Sequence, residues 1–283
     1  MTPDPRQSGP LESSRSAPRL KIGAVSYLNS KPLIEGLDEI SDRIDLILDY
    51  PSVLADRLGR GELDAALIPS ISCFQNPSYE IISDACVATR GPVLSVKLFS
   101  RVPIRNIRTL ALDAGSRTSA ALSQILLAER YQICPELEPL PLGNSMRESR
   151  ADAILLIGDR AIPEPDERFE DVWDLGEEWT NWTGLPFVFA MWAARRGSDF
   201  PEVEEALGGA RDLGLQRISE IARREAPLLH LEQHLIEEYL TENLYFFLGQ
   251  DERQGLRRYY ELAVKQGLAP EGIDLVFRHC TAA

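Results

Sequence analysis

The chain has 283 residues, of which 44% are hydrophobic and 26% are charged, an ordinary composition for a soluble globular protein. Its length favours two compact units over a single core. The formal net charge of −14 at pH 7 argues against nucleic acids and anionic membranes as partners, because both would be repelled. No apolar run approaches the roughly 20 residues of a membrane-spanning helix. If the ligand is an anion, local groups must attract it.

Residues 1–19 are rich in proline, serine and glycine and lack the apolar core of a secretory signal. We therefore expect a disordered tail and a cytoplasmic protein. The four cysteines are far apart in the sequence and form no C-x-x-C pair, so they predict reduced core thiols rather than disulfides or a zinc site. They are Cys73, Cys86, Cys134 and Cys280.

Strand and helix patterns alternate along the first part of the chain. "KIGAVSY", "IDLILDY" and "AALIPS" are typical of strands, whereas "PLIEGL" and "SVLADRLGRGELD" are typical of helices. This alternation predicts an α/β sheet, and ligands bind such sheets at the carboxyl ends of the strands.

The same alternation of strand and helix patterns recurs in "PVLSVKLFS", "TLALDAGSRTSAALSQILLAERY" and "ADAILLIGDRAI". The long apolar strand "LPFVFAMWAAR" follows. From there to the end, including the stretch "HLIEEYLTENLYFFLG", the pattern predicts helices. We expect one lobe made of residues 20–97 and 191–283 and a second, inserted lobe of residues 98–190. Two strands would cross between them, near residues 95–101 and 187–193, with a ligand cleft between the lobes.

The segment "LDAGSRTSAAL" carries the strongest binding signal. A strand leads to Gly115, and Ser116, Arg117, Thr118 and Ser119 follow at the start of a helix. Free backbone N–H groups, hydroxyls and a guanidinium would converge where the helix dipole favours negative charge, which predicts a carboxylate or phosphate site. The alternative is an ordinary helix cap with Arg117 in solvent.

Two further turns are candidates for the cleft. Asp159 follows a strand and is either a helix cap or a carboxylate that faces the cleft. The turn at Thr183 and Gly184 lies before the long apolar strand and could form the floor of the cleft. Some of the tryptophans around this turn are expected to pack in the core.

No metal or organic cofactor is predicted. His230 and His234 have the i, i+4 spacing of a metal pair, but the glutamate of the H-E-x-x-H motif is absent, so a surface pair is the better interpretation. The sequence also lacks the glycine motifs of P-loop ATPases, dinucleotide enzymes and α/β-hydrolases.

Several motifs together resemble the chorismate dehydratase family of the futalosine route to menaquinone. They run from about Leu20 to the C-terminal helices and include "SYLNSKPL", "GELDAALIPS", "GPVLSVKLFS", "SRTSAAL", "LLIGDRA" and "DLGEEWTNWTGLPFVFAMWAAR". The resemblance implies the fold of type II periplasmic binding proteins, with two α/β lobes joined by two hinge strands. The sister enzyme dihydroxynaphthoate synthase shares this fold but typically opens with a Ser-Pro-x-x-Asn-Asp stretch, so the dehydratase is the better match.

The resemblance implies that chorismate, a dianion, loses water to give 3-[(1-carboxyvinyl)oxy]benzoate. The proton acceptor would be Asp159 or, as the preferred alternative, the enolpyruvyl carboxylate of the substrate. A solute receptor without catalysis and the sensing domain of a transcription regulator are the rival hypotheses, and the oligomeric state is left open. The residues assigned to catalysis are Asn29, Ser95 and Asp159, and those assigned to substrate binding are Ser26, Ser70, Ser116, Arg117, Thr118, Ser119, Thr183 and Gly184.

Overall fold

A computed structural model of the chain describes residues 19–40 and 42–278. Most of the predicted tail, together with Cys280, therefore lies outside the described residues. In chain order the strands are β1 (Leu20–Val25), β2 (Ile44–Asp49), β3 (Ala65–Pro69), β4 (Tyr79–Thr89), β5 (Val96–Ser100), β6 (Thr109–Asp113), β7 (Glu136–Leu140), β8 (Ala153–Ile157), β9 (Asp171–Asp174), β10 (Phe187–Arg195), β11 (Tyr245–Phe247) and β12 (Val276–Phe277).

Eight α-helices lie within the described part of the chain, joined by short 3₁₀ turns and one π-helical turn at Tyr239–Asn243. They are α1 (Pro51–Gly59), α2 (Ser70–Gln75), α3 (Thr118–Tyr131), α4 (Leu175–Thr183), α5 (Pro201–Gln216), α6 (Ile218–Leu229), α7 (Gln233–Glu238) and α8 (Gln250–Lys265). None of these helices is long and apolar enough to cross a membrane.

The described strands form two sheets. The first has the order β11-β4-β10-β3-β1-β2, with β12 beside β4, and the second has the order β7-β6-β8-β5-β9. Strands β1, β2 and β3 are parallel, whereas β10 runs antiparallel to β3 and β4. In the centre of the first sheet β3 is buried at every position, which explains its continuous apolar sequence. The mixed α/β architecture predicted from the sequence is present.

The chain passes between the sheets in two connections. Strand β5 pairs with β8 and β9 in the second sheet, and β10 pairs with β3 and β4 in the first sheet. The predicted crossing strands therefore each belong to one sheet, and the crossings are made by residues 90–95 and 184–186. The exact lobe bounds given above stay a prediction.

The C-terminal region is mostly helical, with one correction. Residues 245–247, predicted to be helical, form β11, which pairs antiparallel with β4. An open edge of β4 and the burial of Phe246 outweigh the helical context there. Helix α8 ends before Gly267, whose φ of +69° is the left-handed conformation expected of a helix terminus.

Candidate active site

A partly open cavity lies where residues from both sheets meet, and clefts of this kind are the usual location of small-molecule sites. Its walls come from the segments after β1, β3, β6 and β8 and from β10, so it lies at the strand ends where the sequence predicts a ligand. Six predicted site residues line it, namely Asn29, Ser95, Ser116, Arg117, Thr118 and Ser119. Much of the remaining lining is apolar, contributed by Val25, Pro69, Val87, Val93, Val96, Ile157 and Phe189.

The loop before α3 is built on the buried carboxylate of Asp113. This carboxylate accepts hydrogen bonds from the backbone N–H of Gly115 at 2.9 Å and of Ile157 at 3.2 Å, and from the guanidinium of Arg160 at 2.5 Å. It thereby ties the loop to the end of β8. The N-terminus of a 14-residue helix is held facing the cavity, which favours an anion there.

The hydroxyls of this loop are not equally available to a ligand. Ser116 Oγ accepts the N–H of Ser119 at 3.1 Å, so Ser116 has the capping role that the sequence allowed as an alternative. Thr118 Oγ1 donates to the carbonyl of Phe189 at 3.0 Å and accepts from the N–H of Ile71. Thr118 therefore acts mainly in positioning α3 against the first sheet.

Arg117 lines the cavity and also forms an ion pair with Asp56. Its Nη2 lies 2.6 Å from Oδ1 of Asp56 on α1, and its side chain is 35% exposed. The guanidinium is therefore neither free in solvent nor fully buried. A carboxylate that entered the cavity would compete with Asp56 for the same donors.

A second polar cluster is formed by Asn29 and Ser95, which line the cavity, and by the buried Tyr239. The phenol of the buried Tyr239 donates to Ser95 Oγ at 2.7 Å, and the side chain of Asn29 lies beside the Tyr239 phenol. Asn29 Oδ1 is buried and accepts no hydrogen bond from the described residues. Burial raises the pKa of Tyr239 well above its usual range, so the phenol stays protonated.

Asp159 lies beside the cavity rather than in its lining. Its Oδ1 accepts the backbone N–H of Leu28 at 2.9 Å, so it joins the end of β8 to the turn after β1. Burial raises the pKa of Asp159 to about 6, opposed by the Leu28 N–H and by Lys31, while Glu225 raises it further. The helix-cap alternative does not hold, because Asp159 bonds to a distant segment.

Four predicted binding residues lie outside the lining. The backbone N–H of Ser26 continues the sheet by donating to Asp49, and Ser70 Oγ donates to the carbonyl of Val188 in β10. Both serines follow the strand ends as expected, but their described bonds are structural.

Thr183 and Gly184, predicted to form the floor of the cleft, do not line this cavity. Thr183 Oγ1 donates to the carbonyl of Trp179 at 2.8 Å, and Gly184, with a φ of +71°, ends α4. The turn is a helix C-terminus, a role that uses the same residue types as a binding turn. Trp179, by contrast, packs in the core as expected.

No role is predicted from the sequence for Tyr27, Gly158 or Tyr239. A Cβ atom at Gly158, which has a φ of +70°, would lie 2.6 Å from the Tyr27 ring, so glycine is needed for this close approach. Tyr27 lies in the quoted "SYLN" stretch and could have been chosen as a cavity residue. Tyr239 gives no such signal, because it matches the apolar face of a helix.

Comparisons with known proteins identify the family of the chain. A family model described as menaquinone biosynthesis matches residues 20–265. A chorismate dehydratase from Thermus thermophilus is 34% identical over 258 residues, which cover 85% of this chain and 93% of that protein.

The fold is also found among solved structures. A structural-genomics protein from Archaeoglobus fulgidus has a TM-score of 0.70 at 15% identity, covering 88% of this chain and 98% of that one. The periplasmic aliphatic sulphonate binding protein from Escherichia coli has a TM-score of 0.61 at 14% identity, with 94% of each chain covered. The predicted periplasmic-binding-protein-like fold is confirmed.

Proposed function

Because the chain belongs to the menaquinone biosynthesis family, we propose that it is a chorismate dehydratase, a hydro-lyase that acts in the futalosine route. Its substrate would be chorismate and its product 3-[(1-carboxyvinyl)oxy]benzoate. The observation that carries the proposal is the 34% identity to a chorismate dehydratase along nearly the whole of both chains. A cytoplasmic location is part of the proposal, since it follows from a biosynthetic role.

The reaction explains why the cavity combines apolar walls with neutral donors. The proton that leaves is on the ring carbon that bears the enolpyruvyl ether, and the developing charge spreads through the conjugated ring into its carboxylate. Hydroxide departs from the neighbouring carbon and, with a proton, becomes water. Because the ring becomes aromatic, positioning and charge stabilisation matter more than a strong acid.

The proton acceptor in this proposal is the enolpyruvyl carboxylate of the substrate. Among the described residues that line the cavity there is no aspartate, glutamate, histidine or lysine. Asp159, the side-chain alternative, lies behind Gly158 and already accepts the N–H of Leu28. A carboxylate carried by the substrate reaches the adjacent ring C–H without any protein base.

The carboxylates of the substrate would be bound by the loop before α3. The N-terminal dipole of α3, the hydroxyl of Ser119 and the guanidinium of Arg117 favour an anion on that side. Arg117 would leave Asp56 for the ligand, so binding exchanges one ion pair for another. This local attraction operates despite the overall negative charge of the protein.

The test is incubation of purified protein with chorismate alone, followed by chromatography and mass spectrometry. The proposal expects loss of one water and appearance of an aromatic product, with an Asn29→Ala variant as the control. The alternative to an enzyme is a solute-binding protein, which is supported by the fold similarity. Such a protein would bind chorismate without consuming it. Binding without turnover would therefore reject the enzyme and support the receptor.

A further inference from the structure

Ser95 is held in place by backbone hydrogen bonds around it, and it follows a residue with a strained backbone. Leu94 has a φ of +62°, a conformation that costs free energy for a bulky residue. The carboxylate of Asp174 fixes it by accepting the N–H of Val93 at 2.9 Å and of Leu94 at 2.6 Å. The carbonyl of Ser95 in turn accepts the N–H of Gly158 at 2.9 Å. The fold thus tolerates strain to keep Ser95 in one position on the cavity wall.

The described hydrogen bonds of Ser95 do not involve the hydrogen of its hydroxyl as a donor. Its Oγ accepts from the Tyr239 phenol at 2.7 Å, and in the described part of the chain no acceptor takes the Ser95 hydroxyl hydrogen. A serine hydroxyl has one donor, and it rotates to suit its surroundings. Since Ser95 lines the cavity, the remaining direction for that hydrogen is toward a bound ligand.

Tyr239 is well suited to impose this arrangement. It is 1% exposed and begins the π-helical turn at Tyr239–Asn243, a type of irregular turn that is frequent at functional sites. Asn243, at the end of the same turn, donates to the carbonyl of Pro92 at 3.1 Å, so this turn is bonded to the connection that leads to Ser95. The phenol has a single proton to give, and Ser95 is the partner that receives it.

We propose that Tyr239 is a positioning residue for catalysis: by donating to Ser95 Oγ, it forces the Ser95 hydroxyl to donate to the substrate. This inference rests on the proposed dehydratase function and adds a residue to its machinery. The departing hydroxyl, or a carboxylate that gains charge as the C–H bond breaks, is the chemical group that can accept from Ser95. Tyr239 itself is buried and does not line the cavity, so it would act through Ser95.

The test is a double-mutant cycle with Tyr239→Phe, Ser95→Ala and the combined variant. Tyr239→Phe keeps the ring and removes only the hydroxyl. It should lower kcat by about 10- to 100-fold while KM changes little, as for a misplaced catalytic donor. Because Tyr239 acts through Ser95, the combined variant should match Ser95→Ala to within about twofold.

The matched control is Tyr260→Phe. The Tyr260 hydroxyl also makes two structural hydrogen bonds, to the carbonyl of Pro270 at 2.9 Å and from the N–H of Ile273 at 2.8 Å, but it is outside the cavity. This control should lower Tm and leave kcat per folded molecule unchanged. Additive losses of kcat in the cycle, or an unchanged kcat in Tyr239→Phe, would overturn the inference.

The outcome for the unmodified protein separates this inference from the proposed function. If it binds chorismate without converting it, the proposed function fails, and the same cycle is then measured as changes in Kd by calorimetry. Non-additive losses of affinity would still support the Tyr239–Ser95 relay, and additive ones would reject it. If it neither converts nor binds chorismate, both proposals are wrong.

Discussion

Replacing Asp159 with asparagine would remove a charge that the fold holds between the end of β8 and the turn after β1. The carboxylate accepts the N–H of Leu28 at 2.9 Å, and an asparagine oxygen can accept the same bond. The pKa of Asp159 is raised by burial from 3.8 to about 6, with Lys31 opposing and Glu225 adding to the shift. The substitution therefore keeps the hydrogen bond and removes the cost of a buried anion.

The sign of the effect follows from the raised pKa. The folded protein binds the Asp159 proton more tightly than the unfolded chain does, so this contribution to stability is complete below pH 3.8 and is lost as the pH rises to about 6. The shift corresponds to about 3 kcal/mol. Asp159→Asn should therefore exceed the unmodified protein in free energy of unfolding by up to about 3 kcal/mol near pH 7.5, and by little near pH 4.

The assay is urea unfolding of both proteins at the two pH values, together with kcat for chorismate. Equal pH dependence in the two proteins would refute the reasoning, because the carboxyl would then have no unusual affinity for its proton. The turnover number shows, in addition, whether Asp159 is the base. If Asp159 were the base, kcat would fall by about 100-fold or more, within the range for loss of a general base, whatever happened to stability. If the substrate carboxylate is the base, kcat stays near that of the unmodified protein.

Three further predictions concern the cavity. Arg117→Lys should lower kcat/KM roughly 10- to 100-fold, since a hydrogen bond to a charged group contributes about 1.5–3 kcal/mol and lysine cannot reproduce the two-pronged geometry. An unchanged value would mean that the guanidinium stays with Asp56. Asn29→Ala should lower kcat by about 10- to 1000-fold, as for loss of one preorganised donor. Asn29→Asp should also weaken substrate binding, because the added negative charge repels the dianion. A lower Tm with full kcat in these variants would instead show that Asn29 is a turn residue. Dialysis against a chelator should leave activity unchanged, and recovery by one particular metal would contradict this.

The sequence predicted the architecture because the signals for it are local. Strands and helices alternate in hydrophobic pattern, and the donors of the loop at Ser116–Ser119 directly follow a glycine after a strand. The residues of that loop, with Asn29 and Ser95, line the cavity, and their roles stay a prediction. Local signals failed where one pattern serves two roles, as at Gly184, where a helix end and a binding turn require the same backbone freedom.

Long-range contacts account for the rest. Tyr239 lies 144 residues from Ser95 in the sequence, and an apolar helical face does not show which hydroxyl will meet it. The strand at residues 245–247 depends on the open edge of β4, which is also distant in sequence. The role of Asp113 as the support of the loop before α3 likewise requires Arg160 and Ile157 from a different part of the chain.

If the proposed reaction is correct, the groups that bind carboxylates and the groups near the departing hydroxyl affect the rate in different ways. Substrate and product carry the same two carboxylates, so groups that hold a carboxylate, such as Arg117, bind both molecules in similar ways. Such binding sets affinity, and it favours the chemical step only to the extent that the ring carboxylate gains charge as the C–H bond breaks. The hydroxyl is the group that the substrate has and the product lacks. The cluster of Asn29, Ser95 and Tyr239 is therefore the part of the site that can act selectively as that hydroxyl departs, and substitutions there should change kcat more than product affinity.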